Sequence, residues 1–148
     1  MKRYLFGLSL VLATVALGLI PIVAIAQEAA FKAHLSPTGV TPVSETERLI
    51  YHEGNGTHLG LCTAEGIEHN PPDNIWEKWG SMTLTAANND LLFLDVEIAF
   101  DFDELVWVGS YTICGGTGRF LHASGTGDLV IAFPGGPPTW IFDGIITF

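Results

Sequence analysis

An antiparallel all-β barrel is the fold class predicted by three features of this sequence. The first is strict alternation in "LLFLDVEIAFDFD". Leu92, Leu94, Val96, Ile98, Phe100 and Phe102 hold one parity, and Asp95, Glu97, Asp101 and Asp103 the other. That period of two marks a strand with one buried and one wet face. The second is turn chemistry at hairpin distance: Asn88-Asn89-Asp90 before this strand and Asp103-Glu104 after it. The third is a set of glycines inside or beside strands: Gly109, Gly115, Gly116, Gly118, Gly125, Gly127 and Gly144. Interior strand glycines weaken a flat sheet but permit the coiling that closure needs, so they favour a barrel over a sandwich.

The elements follow in chain order. Lys2 and Arg3 precede the apolar run Leu5 to Ile20, then Pro21 and "AIAQ" with Ala24 and Ala26. This reads as a signal peptide over residues 1–26, cleaved before Gln27, and it places the protein outside the cytoplasm, secreted or periplasmic. The rival reading is an uncleaved anchor, since Tyr4 to Ala26 is long enough to span a bilayer. No Cys follows the run, which argues against a lipid anchor. Residues 27–45 carry "SPTGVTPV" and read as an N-terminal arm or loop. Residues 46–148 form the single barrel domain. "RLIYHE", "GNG" and "THLGLCTAE" give two short strands or one strand broken by a glycine bulge. "EHNPPDN" is a loop, because Pro-Pro cannot donate to a ladder. "SMTLTAANND", "LVWVGSYTIC", "DLVIAF" and "WIFDGIITF" supply further strands, the last two joined through "PGGPP". No long helical period with caps occurs.

Charge narrows the partners. Without the leader, four basic residues face sixteen acids. Such a surface repels phosphate backbones and anionic membranes, so no nucleic-acid partner is expected. The two cysteines, Cys62 and Cys114, form a candidate disulfide if the compartment is oxidising, closing 51 residues between them. Such a bridge is worth roughly 3–4 kcal/mol on chain entropy. The alternative is two free thiols acting as small hydrophobes.

"YTICGGTGRFLHAS", from Tyr111 to Ser124, resembles a phosphate loop only superficially. A P-loop needs Lys and Ser/Thr after its last glycine and a helix to follow, whereas Gly118 is followed by Arg119-Phe120 and then a strand-like stretch. The glycines read instead as a bend supplying positive φ and close backbone approach. Gly115, Gly116, Gly118 and Gly125 are its structural residues, Phe120 plugs one end of the core, and Arg119 pairs with an acid.

The pattern Gly115, Gly116, Gly118, Phe120, Ala123, Gly125 resembles one in dirigent proteins and allene oxide cyclases. Together with "GTHLG" (Gly56 to Gly60) and "AANND" (Ala86 to Asp90), it is most similar to that of bacterial secreted proteins of unassigned function in the same barrel group. Spanning about Glu53 to Phe133, the resemblance implies an eight-stranded, calycin-like antiparallel barrel, often trimeric in plant relatives, so a homo-oligomer is an expectation. The strands read from the pattern number six or seven, so the N-terminal segment must supply the rest. No catalytic residue carries over from the resemblance.

Other constellations read blandly. Residues two apart on a strand lie roughly 6.5–7 Å apart, too far for the acids of "DVEIAFDFD" to share one ion unaided. His34, His52, His58, His69 and His122 show no metal-ligand spacing, so neither a metal nor a cofactor is expected. His58, in "GTHLG", is the candidate ligand-binding residue. Ser81, Ser110 and Ser124 lack a nucleophile elbow, and Asn55-Gly56-Thr57 reads as a turn rather than a glycosylated sequon. Three functions remain: a secreted barrel binding a small apolar molecule, a cyclase- or dirigent-like enzyme acting on a reactive lipid or phenolic intermediate, and a small outer-membrane barrel. The last draws on the aromatic-rich C-terminal strand ending at Phe148.

Overall fold

Eight strands and one turn of 3-10 helix account for the regular structure of the computed structural model, which describes residues 26–148. The strands are β1 (Glu28–Pro42), β2 (Glu47–Gly56), β3 (Gly60–His69), β4 (Glu77–Thr85), β5 (Leu91–Asp101), β6 (Val106–Gly116), β7 (Ser124–Ala132) and β8 (Thr139–Thr147). The 3-10 turn is Gly118–Phe120. Each strand pairs antiparallel with the next, and β1 pairs with β8 to close the barrel. The leader expected over residues 1–26 lies outside the described residues, except for residue 26.

The segment expected as an arm is the longest strand. β1 runs 15 residues, and Phe31, Ala33 and Leu35 alternate inward at 0–1% exposure. Its two prolines and its glycine masked that alternation. Pro37 sits where the register with β2 shifts, and Pro42 ends the strand. β2 and β3 are separate strands, turned by Thr57 to Leu59.

The predicted alternation of β5 sets the core. Leu92, Leu94, Val96 and Ile98 are buried, while Asp95 and Glu97 face out. Phe102 departs from it: it lies in the β5–β6 turn and is 60% exposed. A charged exterior around an apolar interior is the reverse of a lipid-facing barrel, whose apolar band points outward. On β5 the side chains thus run opposite to the arrangement that the outer-membrane reading requires.

The cysteines are not joined. Both are free, with Cys62 buried inside β3 and Cys114 exposed on β6, and β4 and β5 lie between those strands. Leu94 pairs with Ile113 and Phe93 with Gly115, so Cys114 is the extra residue of a β-bulge. Its thiol points outward and donates to Asp95 Oδ2 at 3.3 Å. The bulge needs a residue with positive φ beside it, and Gly115 supplies φ 111°.

One end of the barrel, where both termini of the described chain lie, is closed by side chains from its turns. Leu59, Ala86, Phe120 and Ala123 are all buried there, Phe120 completely. Gly118, at φ 55°, holds the 3-10 turn against Asp90, whose Oδ2 accepts the Arg119 backbone N–H and lies 3.8 Å from the Arg119 side chain. The opposite end, ringed by the β1–β2, β3–β4, β5–β6 and β7–β8 connections, is open.

Candidate functional site

Inward positions near the open end carry charge instead of hydrocarbon. Arg48 on β2 and Glu68 on β3 stand opposite each other in the register, both on the buried parity. Arg48 Nη2 donates to Glu68 Oε1 and, at 3.1 Å, to Asn70 Oδ1. Lys78 on β4 donates to the same Glu68 oxygen at 3.2 Å, with its ammonium 4.4 Å from the centroid of the Trp107 ring. Glu68 is 7% exposed, so its position is tolerable only because two cations meet it there.

Beside this cluster lies His52, 3% exposed, its ring 4.6 Å from that of Trp140. Burial pulls its pKa down to about 4, and the Glu68 charge opposes this only in part. The imidazole is therefore neutral at neutral pH, and the cluster carries one cation in excess: Arg48 and Lys78 against Glu68. His52 Nδ1 and Arg48 Nε are buried without a protein partner. Such atoms are uncommon in folded proteins, and each invites a ligand or water.

These groups line a cavity of about 190 Å³ whose apolar wall comes from Pro37, Ile50, Trp107, Ile131 and Trp140. Val40, Phe133 and Pro138 stand at its mouth. Larger hollows, up to about 650 Å³, lie on the outer face among residues such as Tyr51, Glu65 and Thr83. Those are solvent-facing grooves between strands.

The structure moves the ligand candidate from His58 to His52. His58 occupies the β2–β3 turn at the closed end, exposed, with φ 62°. Its Nε2 lies 3.2 Å from the Ala30 carbonyl oxygen, and its ring meets the edge of Phe148. The left-handed turn swings the side chain outside the barrel, so it lines no part of the cavity. Of the bend residues, Gly115 serves the bulge and Gly118 the 3-10 turn. Gly116 and Gly125 pair in their ladders with Leu92 and Ile146, and Phe120 seals the closed end. None of them approaches the open mouth.

Arg48, Glu68 and Lys78 do not announce themselves by motif spacing, but parity reveals them. In "LCTAEGIEH", Glu68 shares the parity of Cys62 and Ala64; in "EKWGSMTLT", Lys78 shares that of Met82 and Leu84. A charge on the inward face of consecutive strands, always at the same end, is the signal that could have found the site.

No protein-family model matches the chain, and no curated protein matches its sequence. Among solved structures, the pterocarpan synthase dirigent protein GePTS1 is similar in fold. The two share 16% identity over 91% of this chain and 98% of that one, with a TM-score of 0.57. At that identity the likeness is one of architecture alone. The chain is a dirigent-like, eight-stranded antiparallel barrel with a polar, aromatic-walled cavity at its open end.

Proposed function

We propose that the protein is a secreted barrel that binds one small, mostly apolar molecule carrying a hydrogen-bonding group, in the open-end cavity. The observation that carries this reading is the pair of unpartnered buried atoms, His52 Nδ1 and Arg48 Nε, beside the same aromatic-walled hollow. Ligand sites combine an apolar lining with a few placed polar groups, and this cavity has both. At about 190 Å³ it is below the roughly 300–1,000 Å³ of sites for drug-sized ligands, so its occupant is of single-ring size or protrudes from the mouth. The leader-like N-terminus supports export, and the dirigent-like fold supports a homo-oligomer.

A second reading is a cyclase- or dirigent-like enzyme steering a reactive phenolic or lipid intermediate. It requires ionisable groups inside the barrel, and Glu68 and His52 supply them. The fold of the pterocarpan synthase dirigent neighbour favours it without assigning a substrate.

Native mass spectrometry of the chain exported from a bacterial host tests the binding reading. The expected result is a retained small molecule lost on denaturation, or uptake of added benzyl alcohol with a shift in tryptophan fluorescence that Trp107→Phe and Trp140→Phe reduce. A bare barrel whose fluorescence ignores benzyl alcohol and hexanol overturns it.

A further inference from the structure

Lys78 has a setting that reversible binding does not use. Its side chain is 17% exposed, and it lines both the open cavity and a narrow recess beneath, bounded by Ile50, Ile67, Val96 and Ile98. Lys32, the other lysine among the described residues, lies outside the barrel, 55% exposed and paired with Asp143. Burial pulls the Lys78 ammonium down from the ordinary lysine range, Arg48 adding to the effect and Glu68 opposing it. The charged or titratable groups around it are Glu68 on β3 and Arg48 and His52 on β2; β5 and β6 present Ile98 and Trp107. A partly buried amine, a carboxylate at 3.2 Å and room for a small molecule are the components of carbonyl capture.

We infer that Lys78 captures a small aldehyde as a protonated imine, with Glu68 as proton carrier and counter-ion. The ammonium gives one proton to Glu68, and the freed nitrogen lone pair attacks the carbonyl carbon. A second proton passes from nitrogen to the carbonyl oxygen, giving a neutral carbinolamine. Glu68 returns its proton to that hydroxyl, which leaves as water while the nitrogen lone pair forms the C=N bond. Ammonium and aldehyde thus become iminium and water, with no change of charge and no oxidant or reductant. The iminium stays where the ammonium stood, beside the Glu68 carboxylate and the Trp107 face, so the product keeps the partners of the reactant. The apolar wall limits the water available to reverse the step.

This inference rests on the cavity being a ligand site, and the experiment separates the two. The exported full-length protein is treated with benzaldehyde and sodium cyanoborohydride, which reduces the imine to a stable amine, and the labelled residue is mapped by mass spectrometry. Lys78 gains the mass of the aldehyde less its oxygen, and gains it faster than Lys32, which lies outside the barrel and lines no part of the cavity. Lys78→Arg keeps the charge and loses the label, and Glu68→Gln slows labelling while circular dichroism shows the barrel intact. A fluorescence shift with benzyl alcohol but no label on Lys78 overturns the imine and leaves the ligand site standing. Labelling of Lys78 no faster than of Lys32 overturns it equally. No response to either compound overturns site and imine together.

Discussion

At the closed end of the barrel, Leu59, Phe120 and Ile146 are at most 1% exposed, and the turns are laced by backbone bonds such as Thr117 N–H to Leu91 O at 2.8 Å. At the open end, one carboxylate holds two cations beneath an aromatic wall, and two buried polar atoms lack partners. The same eight strands build both ends, and what differs is the chemistry of the inward positions. The closed end gains stability from packed hydrocarbon, the term that dominates folding. The open end gives some of that up for a polar interior, an exchange that makes sense where something binds.

The largest expected effect tests the closed end. Phe120→Ala removes the plug and is expected to cost about 3–5 kcal/mol, the range for deleting a buried aromatic ring. Phe133→Ala at the open mouth, where the ring is 52% exposed, is expected to stay within about 0.5 kcal/mol. Urea unfolding of both variants measures the contrast. Equal losses would break the distinction between a packed end and an open one.

Next comes the pH dependence of the open end. His52 titrates near 4 when folded, against 6.5 for the ordinary imidazole, because burial disfavours its charged form. Between those values the unfolded chain holds a proton that the folded chain does not, so stability attributable to His52 is complete above pH 6.5 and falls as pH drops toward 4. The full loss is about 3 kcal/mol. Replacing the group with His52→Gln removes that slope, so the stability difference between wild type and variant must itself change with pH across this window. A difference independent of pH would mean that His52 is wetter than its setting implies.

Glu68→Gln ranks third. It leaves Arg48 and Lys78 facing each other without a carboxylate, a change worth 3–5 kcal/mol in a dry core. Arg48 is 36% exposed on its side chain and keeps Asn70, so about 2 kcal/mol is expected here. Chemical denaturation at neutral pH reads it. A loss as large as that of Phe120→Ala would show the cluster to be sealed from water.

The same contrast explains what was legible in the residues. β5 could be read outright because Leu92 to Ile98 and Asp95 to Glu97 separate cleanly by parity. β1 could not, since prolines and a glycine interrupt its outer half while only Phe31, Ala33 and Leu35 alternate clearly. Motif reading drew attention to His58 through its "GTHLG" context, but the turn at positive φ carries it outside. The site is written in charges on inward parity, and that pattern emerges only when several strands are placed side by side in register.

The smallest effect concerns a buried side-chain atom, away from the open end, that lacks a hydrogen-bond partner among the described residues. Tyr111 is 1% exposed, packed between Phe31 and Phe142 with ring centroids 5.7 and 5.3 Å away. Four residues share a level around the barrel: Tyr111 pairs with Gly127, Gly127 with Gly144, and Gly144 with Phe31. The two central glycines leave the space the phenol enters; a Cβ on either would lie 2.6 Å from its oxygen. That hydroxyl has no hydrogen-bond partner, and burial raises its pKa, with Asp143 and Asp128 contributing. If this region is pure packing, Tyr111→Phe removes a desolvated group and keeps the ring, so stability should hold or rise by up to about 1 kcal/mol. A loss of comparable size would mean that the hydroxyl is bonded to water reaching between the glycines, and that the polar interior extends beyond the mouth.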